Sequence, residues 1–169
     1  MPATTIPKRP ARRQAGTDAE ALAERLDGLP PLDRALEVVG DRWSLAVVAQ
    51  LTAGPQRFNE LAESVAPIAR TVLSDRLRRL EAAGVLSRRQ YQDSPPRWEY
   101  RLTIAGAELA KPAATLADWG SRHLGSGQPV LRHAVCGSEV TPAYRCLACG
   151  PVSPREIHTA MLRTPMPQG

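Results

Sequence analysis

The stretch Ile68-Ala-Arg-Thr-Val-Leu-Ser-Asp-Arg-Leu-Arg-Arg-Leu-Glu-Ala-Ala-Gly84 decides the fold. Leu73, Leu77 and Leu80 stand at i, i+4 and i+7, one stripe of an amphipathic helix that must face a core. Arg70, Thr71, Ser74 and Arg78 lie off that stripe. The first three fall in the opening turns, the part of a helix-turn-helix recognition helix that meets base edges. Gly84 offers the left-handed backbone with which helices commonly end. Upstream, Asn59 is placed to cap a short helix over 60–65, and Ala66-Pro67 breaks it, so two helices meet through a tight turn. Downstream, residues 85–91 alternate like a strand, Gln92-Asp-Ser-Pro-Pro96 is turn chemistry, and residues 97–102 alternate again, which predicts a hairpin with a proline-stiffened tip.

Charge gives this segment its expected partner. Between Arg70 and Arg101 there are eight arginines against four acids, Asp75, Glu81, Asp93 and Glu99. Arg88, Arg89 and Arg97 on the hairpin are expected to reach phosphates, and Arg70 is the first candidate for a guanine contact. The whole chain of 169 residues carries a net charge of +5 and a pI near 9.6, which favours a polyanionic partner. With a single Phe there is little to build the aromatic platform that stacks single-stranded bases, so double-stranded DNA is the expected ligand.

Around this core the periodicity continues. Thr17-Asp-Ala-Glu20 has the pattern of a capping box, with Leu22, Leu26 and Leu29 behind it and Gly28 and Pro30 closing the element. That helix is read as a lid or, slightly preferred, as a dimer element. Helices follow over 32–39 and 42–51, where Trp43, Val47 and Leu51 occupy one face and Leu45 and Val48 another, so the second is buried on several sides. Thr103 is placed to cap a last helix carrying Leu109, Ala113, Leu116 and Ala117, which Pro112 should kink or split. Trp119 and Leu124 extend its apolar side, which is expected to pack against a partner subunit.

The remaining chemistry is at the C-terminus: His133-Ala-Val-Cys136-Gly137, then Cys146-Leu-Ala-Cys149-Gly150. Two paired ligand motifs, each followed by glycine, have the spacing of a two-knuckle tetrahedral zinc site, with His133, Cys136, Cys146 and Cys149 as ligands and His158 as a replacement. Three cysteines cannot all pair within one chain, and no apolar leader precedes the fold, which fits a reducing compartment. A segment this short needs a staple, and a structural Zn2+ contributes roughly 10 to 16 kcal/mol of apparent binding energy. Four protein ligands make a closed site and not a catalytic one. With no H-E-x-x-H, no G-x-S-x-G and no phosphate loop in the sequence, an enzyme is not expected.

These motifs in order, Leu32-Asp-Arg-Ala-Leu-Glu-Val-Val-Gly40, Asp41-Arg-Trp43, Arg57-Phe-Asn-Glu-Leu61, Leu73 through Glu81 with Gly84-Val85, Pro95-Pro96 with Glu99-Tyr100, and Leu102-Thr103 with Gly106, resemble the HxlR-type winged-helix transcriptional regulators. The resemblance covers the middle third to half of the chain. It implies a homodimeric bacterial regulator that binds an imperfect palindrome and dimerises through its terminal helices. It also places a reactive cysteine near Pro30 and Pro31 in many relatives; this chain has none there.

The expected fold class is thus mainly α with a small β-hairpin wing (α+β), a winged helix-turn-helix followed by a zinc-ribbon-like appendage. The expected plan is a disordered basic arm over 1–16 with Lys8, Arg9, Arg12 and Arg13, a winged domain with flanking dimerisation helices over 17–124, the appendage over 130–158, and a disordered tail over 159–169. The expected function is a sequence-specific regulator, a repressor, cytoplasmic and nucleoid-associated, with no membrane segment and room for an unidentified small-molecule effector between the helices. The appendage has three readings: a brace for the dimer or last helix, a thiol sensor that loses zinc on oxidation of Cys136, Cys146 or Cys149, and a protein-docking module.

Overall fold

A computed structural model describes residues 11–93, 95–125, 127 and 130–157, the side chains of 11–15 and 96 excepted. Seven helices and five strands run through them: α1 (Ala11–Leu26), α2 (Pro31–Val39), α3 (Ser44–Leu51), β1 (Gln56–Arg57), α4 (Phe58–Ser64), α5 (Arg70–Ala82), β2 (Leu86–Asp93), β3 (Pro96–Leu102), α6 (Ile104–Glu108), α7 (Ala110–Leu124), β4 (Tyr144–Cys146) and β5 (Gly150–Val152). The expected α+β architecture, helices around a small wing sheet, is what forms.

One core joins the elements from α2 to β3. The predicted stripe of α5, Leu73, Leu77 and Leu80, is buried together with Val39, Val47, Val48, Leu51, Leu61, Val65, Ile68, Val85 and Leu86, and Trp43, Phe58, Tyr100 and Leu102 pack at its edge. The end of α5 is fixed by Gly84, whose positive φ of 70° lets its N–H donate to Glu81 O at 3.0 Å while the Val85 N–H donates to Leu80 O at 2.9 Å. Those two bonds make a Schellman ending. The chain then drops straight into β2, with Val85 buried over the helix it has just left.

The wing is an antiparallel hairpin, Leu86 opposite Leu102 through Asp93 opposite Pro96, with a shift of register between Gln90 and Gln92. Such a bulge adds one residue to one strand and re-aims the side chain there, here Tyr91. A third strand, β1, pairs with β3 through Gln56 and Tyr100, giving the order β1-β3-β2. Two residues are too few to show alternation, so periodicity could not reveal this strand.

Several boundaries differ from expectation. α1 begins at Ala11 and not at Thr17, which leaves the capping-box pattern inside the helix. The run Ala-Arg-Arg-Gln-Ala ahead of it consists of good helix formers, and the only weak point before Thr17 is Gly16. Residues 11–16 therefore belong to a helix; Lys8, Arg9, His158 and the tail lie outside the described residues. α1 packs on α5 of its own chain, with Leu22 buried, so in this chain it is a lid. Helix α4 starts at Phe58, with extended Arg57 as its cap residue and the Arg57 N–H donating to the Glu60 carboxylate at 2.6 Å. Asn59, expected as the cap, is already within the first turn. The last helix splits at Leu109, placing Pro112 in the first turn of α7, where a missing N–H costs no intrahelical bond. Thr103 caps α6 as expected, its hydroxyl accepting the Gly106 N–H at 3.1 Å.

Beyond α7 the chain makes two small hairpins, one closed by an Arg132–Glu139 bridge and one formed by β4 and β5. Their tie to the body is Asp118, a buried carboxylate that accepts the Val130 N–H at 3.0 Å and the Arg122 Nε–H at 2.7 Å. Arg122 reaches on to Glu139 at 2.6 Å. Among the described residues no helix is long and apolar enough to cross a membrane.

Candidate nucleic-acid interface

The arginines of the segment 70–101 divide into two groups once the fold is drawn. Arg76, Arg79 and Arg88 are held by acids of the protein: Asp41 at 3.4 Å, Glu37 at 3.7 Å and Glu81 at 3.1 Å. Arg88 also lies 4.7 Å over the Trp98 ring. In the hairpin it stands opposite Tyr100, on the side of β2 and β3 that faces the core, whereas Arg89 stands opposite Glu99 on the other side. The sequence expectation grouped Arg88 with the phosphate-reaching residues; the structure engages its guanidinium with Glu81 and Trp98, because alternation along β2 turns it inward. Glu81 pays for that position in its protonation: burial pushes its carboxyl up, and Arg88 only partly offsets the rise.

Arg70, Arg78, Arg89, Arg97 and Arg101 form the second group, exposed and without an acidic partner among the described residues. Arg70, Thr71 and Ser74 sit exposed on the opening turns of α5, as predicted. Arg78 is farther along and lines, with Asp75, Arg79 and Ala82, a groove of about 370 Å³ against Asp18, Ala21, Leu22 and Arg25 of α1. It occupies the seam between the two helices, so its neighbourhood differs from that of Arg70.

The start of α5 is joined to the wing through α4. The Arg70 guanidinium donates to Asn59 Oδ1 at 2.9 Å and lies 5.8 Å from the Phe58 ring centre. Arg57, the residue ahead of Phe58, stacks 4.6 Å over the bulged Tyr91. Arg57, Phe58, Asn59 and Glu60 then line one groove of about 530 Å³ together with Tyr91, Arg97, Trp98 and Tyr100 of the wing. Recognition helix, turn and wing thus make a continuous surface with Arg70 at one end and Arg97 at the other. Sequence reasoning did not assign Arg57, Asn59 or Tyr91 to it. Their roles depend on the turn geometry and on the bulge, neither of which leaves a periodic signal.

Behind this surface, Asp41 fixes α3 and α5 together. Its carboxylate accepts the Trp43 and Ser44 N–H groups at 2.9 and 3.1 Å and the Ser44 hydroxyl. Burial acts to raise this carboxyl, but the Ser44 hydroxyl, the two amides and Arg76 together hold it below its ordinary value.

The four metal-type residues of the appendage come together as two pairs. His133 Nδ1 is 3.2 Å from Cys136 Sγ, and Cys146 is within hydrogen-bonding reach of Cys149. The Ser138 hydroxyl and amide, with His133, bring the Cys136 thiol down to about 7. Among the described residues no three His, Cys, Asp or Glu groups gather into one metal-holding cluster.

Residues 38–128 match the family model of the HxlR-like helix-turn-helix. The chain belongs to the HxlR-like helix-turn-helix family. It is 40% identical over 149 residues to Rv3095, an uncharacterized HTH-type transcriptional regulator of Mycobacterium tuberculosis, covering 86% of this chain and 90% of that protein. That coverage carries the likeness beyond residue 128 into the appendage. It is 36% identical over 93 residues to YtcD, an uncharacterized HTH-type transcriptional regulator of Bacillus subtilis, covering 55% of this chain and 74% of that protein. Among solved structures, PA1607, described as a transcription factor, superposes with a TM-score of 0.67 at 26% identity over 81% of this chain and 98% of that chain. The redox regulator HypR in its oxidized form superposes with a TM-score of 0.52 at 32% identity, over 55% and 96% of the two chains. This HxlR-type chain is a DNA-binding transcriptional regulator built on a winged helix.

Proposed function

We propose that this regulator binds a specific duplex sequence as a homodimer, each protomer placing the start of α5 in a major groove and its wing along the neighbouring backbone. The observation that carries the reading is the continuous exposed surface from Arg70, Thr71 and Ser74 through Arg57 to Arg97, with the inner arginines already neutralised by acids of the protein. Arg70 is the base reader, its guanidinium oriented by Asn59, while Arg89 and Arg97 hold phosphates. Arg88 is left out of that set. The two-fold arrangement is supported by α7, where Leu116, Trp119 and Leu124 are 53%, 50% and 77% exposed. Such an apolar face is costly to leave in water and suits a second copy of the helix. A two-fold dimer demands an inverted repeat as its site. A dimer seated across a promoter obstructs polymerase, so repression is the expected output.

Substitutions separate the roles. Arg70→Ala relaxes selectivity at one position of each half-site and costs about 1 to 3 kcal/mol, whereas Arg97→Ala weakens all duplexes alike. Binding titrations across single-base operator variants check this. Identical behaviour of the two variants across the panel contradicts the division of labour.

A further inference from the structure

All three cysteines of the chain lie between residues 136 and 149, and they sit at two turns that each carry a glycine of positive φ after the distal ligand. In the first, the Gly137 N–H donates to His133 O and the His133 N–H to Ser138 O, both at 2.8 Å, and Gly137 takes a positive φ of 69°. The backbone amide of Ser138, two residues after Cys136, is thereby aimed at the Cys136 sulfur. In the second, Cys146 pairs across the strand with Gly150, which has a φ of 88°, and the amides of Ala148 and Cys149 are aimed at the Cys146 sulfur. Glycine after the distal ligand and amides turned onto sulfur are the features of a metal-binding knuckle.

The distance within the first pair fits an ion. Two ligands on a tetrahedral zinc, one sulfur at about 2.3 Å and one nitrogen at about 2.05 Å, are themselves separated by about 3.5 Å. His133 Nδ1 and Cys136 Sγ are 3.2 Å apart, so little movement is needed. The two turns are joined through residues 141–143, since the Val140 N–H still donates to Leu131 O at 2.9 Å across the first hairpin and β4 opens at Tyr144. Three residues span at most about 11 Å, which keeps the halves within reach of one ion.

Packing supplies the independent reason. Val130, Val135, Val140, Tyr144 and Leu147 are all exposed, Leu147 completely. The two hairpins therefore hold their turns without an apolar core of their own, and the Asp118–Arg122–Glu139 tie reaches only the first of them. A Cys146 to Cys149 disulfide would leave Cys136 and the first turn unexplained.

We infer that His133, through Nδ1, with Cys136, Cys146 and Cys149 forms one closed tetrahedral zinc site that staples the two hairpins into a single appendage on α7. Three thiolates and an imidazole at four positions leave no open coordination, so the site is structural. Zinc binding draws the two halves together, and through Glu139 and Arg122 it fixes the appendage to the helix that carries Trp119.

The test uses the full-length chain. Metal analysis of the purified protein finds about one zinc per chain, and stripping it with a chelator and adding cobalt(II) produces a thiolate-to-cobalt charge-transfer band with the intense visible bands of a tetrahedral centre. Cys136→Ser and Cys149→Ser each lose the zinc and alter the cobalt spectrum, while the helical circular dichroism of the winged module is retained. His133→Ala does the same, and His158→Ala does not. Absence of both zinc and a thiolate–cobalt band in the wild-type chain overturns the site. So does a cobalt spectrum unchanged by Cys136→Ser. Dependence on His158 in place of His133 overturns the ligand set.

Discussion

At the scale of single residues, one carboxylate shows how much depends on pairing. Asp41 accepts hydrogen bonds from two backbone amides and a hydroxyl at the start of α3 and faces Arg76 of α5. Asp41→Ala removes a helix cap and leaves Arg76 without its acid, so a loss of about 1 to 2 kcal/mol is expected in urea melts. The acid limb carries a sign. The folded-state pKa lies below the ordinary 3.8, so the contribution is complete above that pH and disappears as pH falls through the lowered value. The stability advantage of wild type over Asp41→Asn is therefore present at neutral pH and shrinks below 3.8; melts recorded from neutral pH downward check it, and an advantage that grows on acidification contradicts the assignment. The arginines tell the same story of pairing. That the segment is basic, and that Arg70 is exposed at the head of the helix, was legible in the sequence. Which arginines are already spoken for was not, since the acids that hold Arg76 and Arg79 come from a distant part of the chain, at Asp41 and Glu37.

At the scale of elements, α5 was readable from end to end because its stripe of leucines and its terminal Gly84 are local signals. Elements whose limits depend on tertiary partners were less so. β1 exists through pairing with β3, and the wing bulge that turns Tyr91 toward Arg57 reflects a register between two strands. The joint between wing and α6 rests on close approach: a Cβ on Gly106 would come within 1.8 Å of Val85 O. Because that neighbour is backbone, Gly106→Ala must push α6 away from the end of α5, and a destabilisation of roughly 1 to 3 kcal/mol is expected. A melting temperature equal to wild type contradicts this. The appendage has its own anchor in Asp118, where burial acts to raise the carboxyl but the Val130 amide and Arg122 hold it below the ordinary value. Asp118→Asn is expected to speed hydrogen exchange at residues 130–140 while leaving α3 and α5 protected. Uniform exchange across the chain would place the tie elsewhere.

At the scale of the whole molecule, the fold presents two faces of different chemistry, an arginine-bearing surface from α5 to Arg97 of the wing and an apolar one along α7. Substituting Trp119→Glu on the apolar face is expected to yield a monomer by light scattering and to abolish cooperative occupation of both half-sites. The charged face predicts a steep salt dependence: six to ten phosphate contacts per dimer give a log-log slope of roughly −5 to −9. The general outline, a winged helix with exposed arginines at the head of α5 and a metal-type motif, followed from local spacing, whereas the lid-like seat of α1 on α5 and the anchoring of the appendage by Asp118 are contacts between separated segments. Whether the surface from Arg70 to Arg97 lies across duplex grooves is decided by selecting bound sequences from a random duplex library with wild-type and Arg70→Ala protein in parallel. Wild type is expected to enrich an inverted repeat, and the variant to lose selectivity at one symmetric position. An unenriched library at low salt, or identical motifs from both proteins, would contradict it.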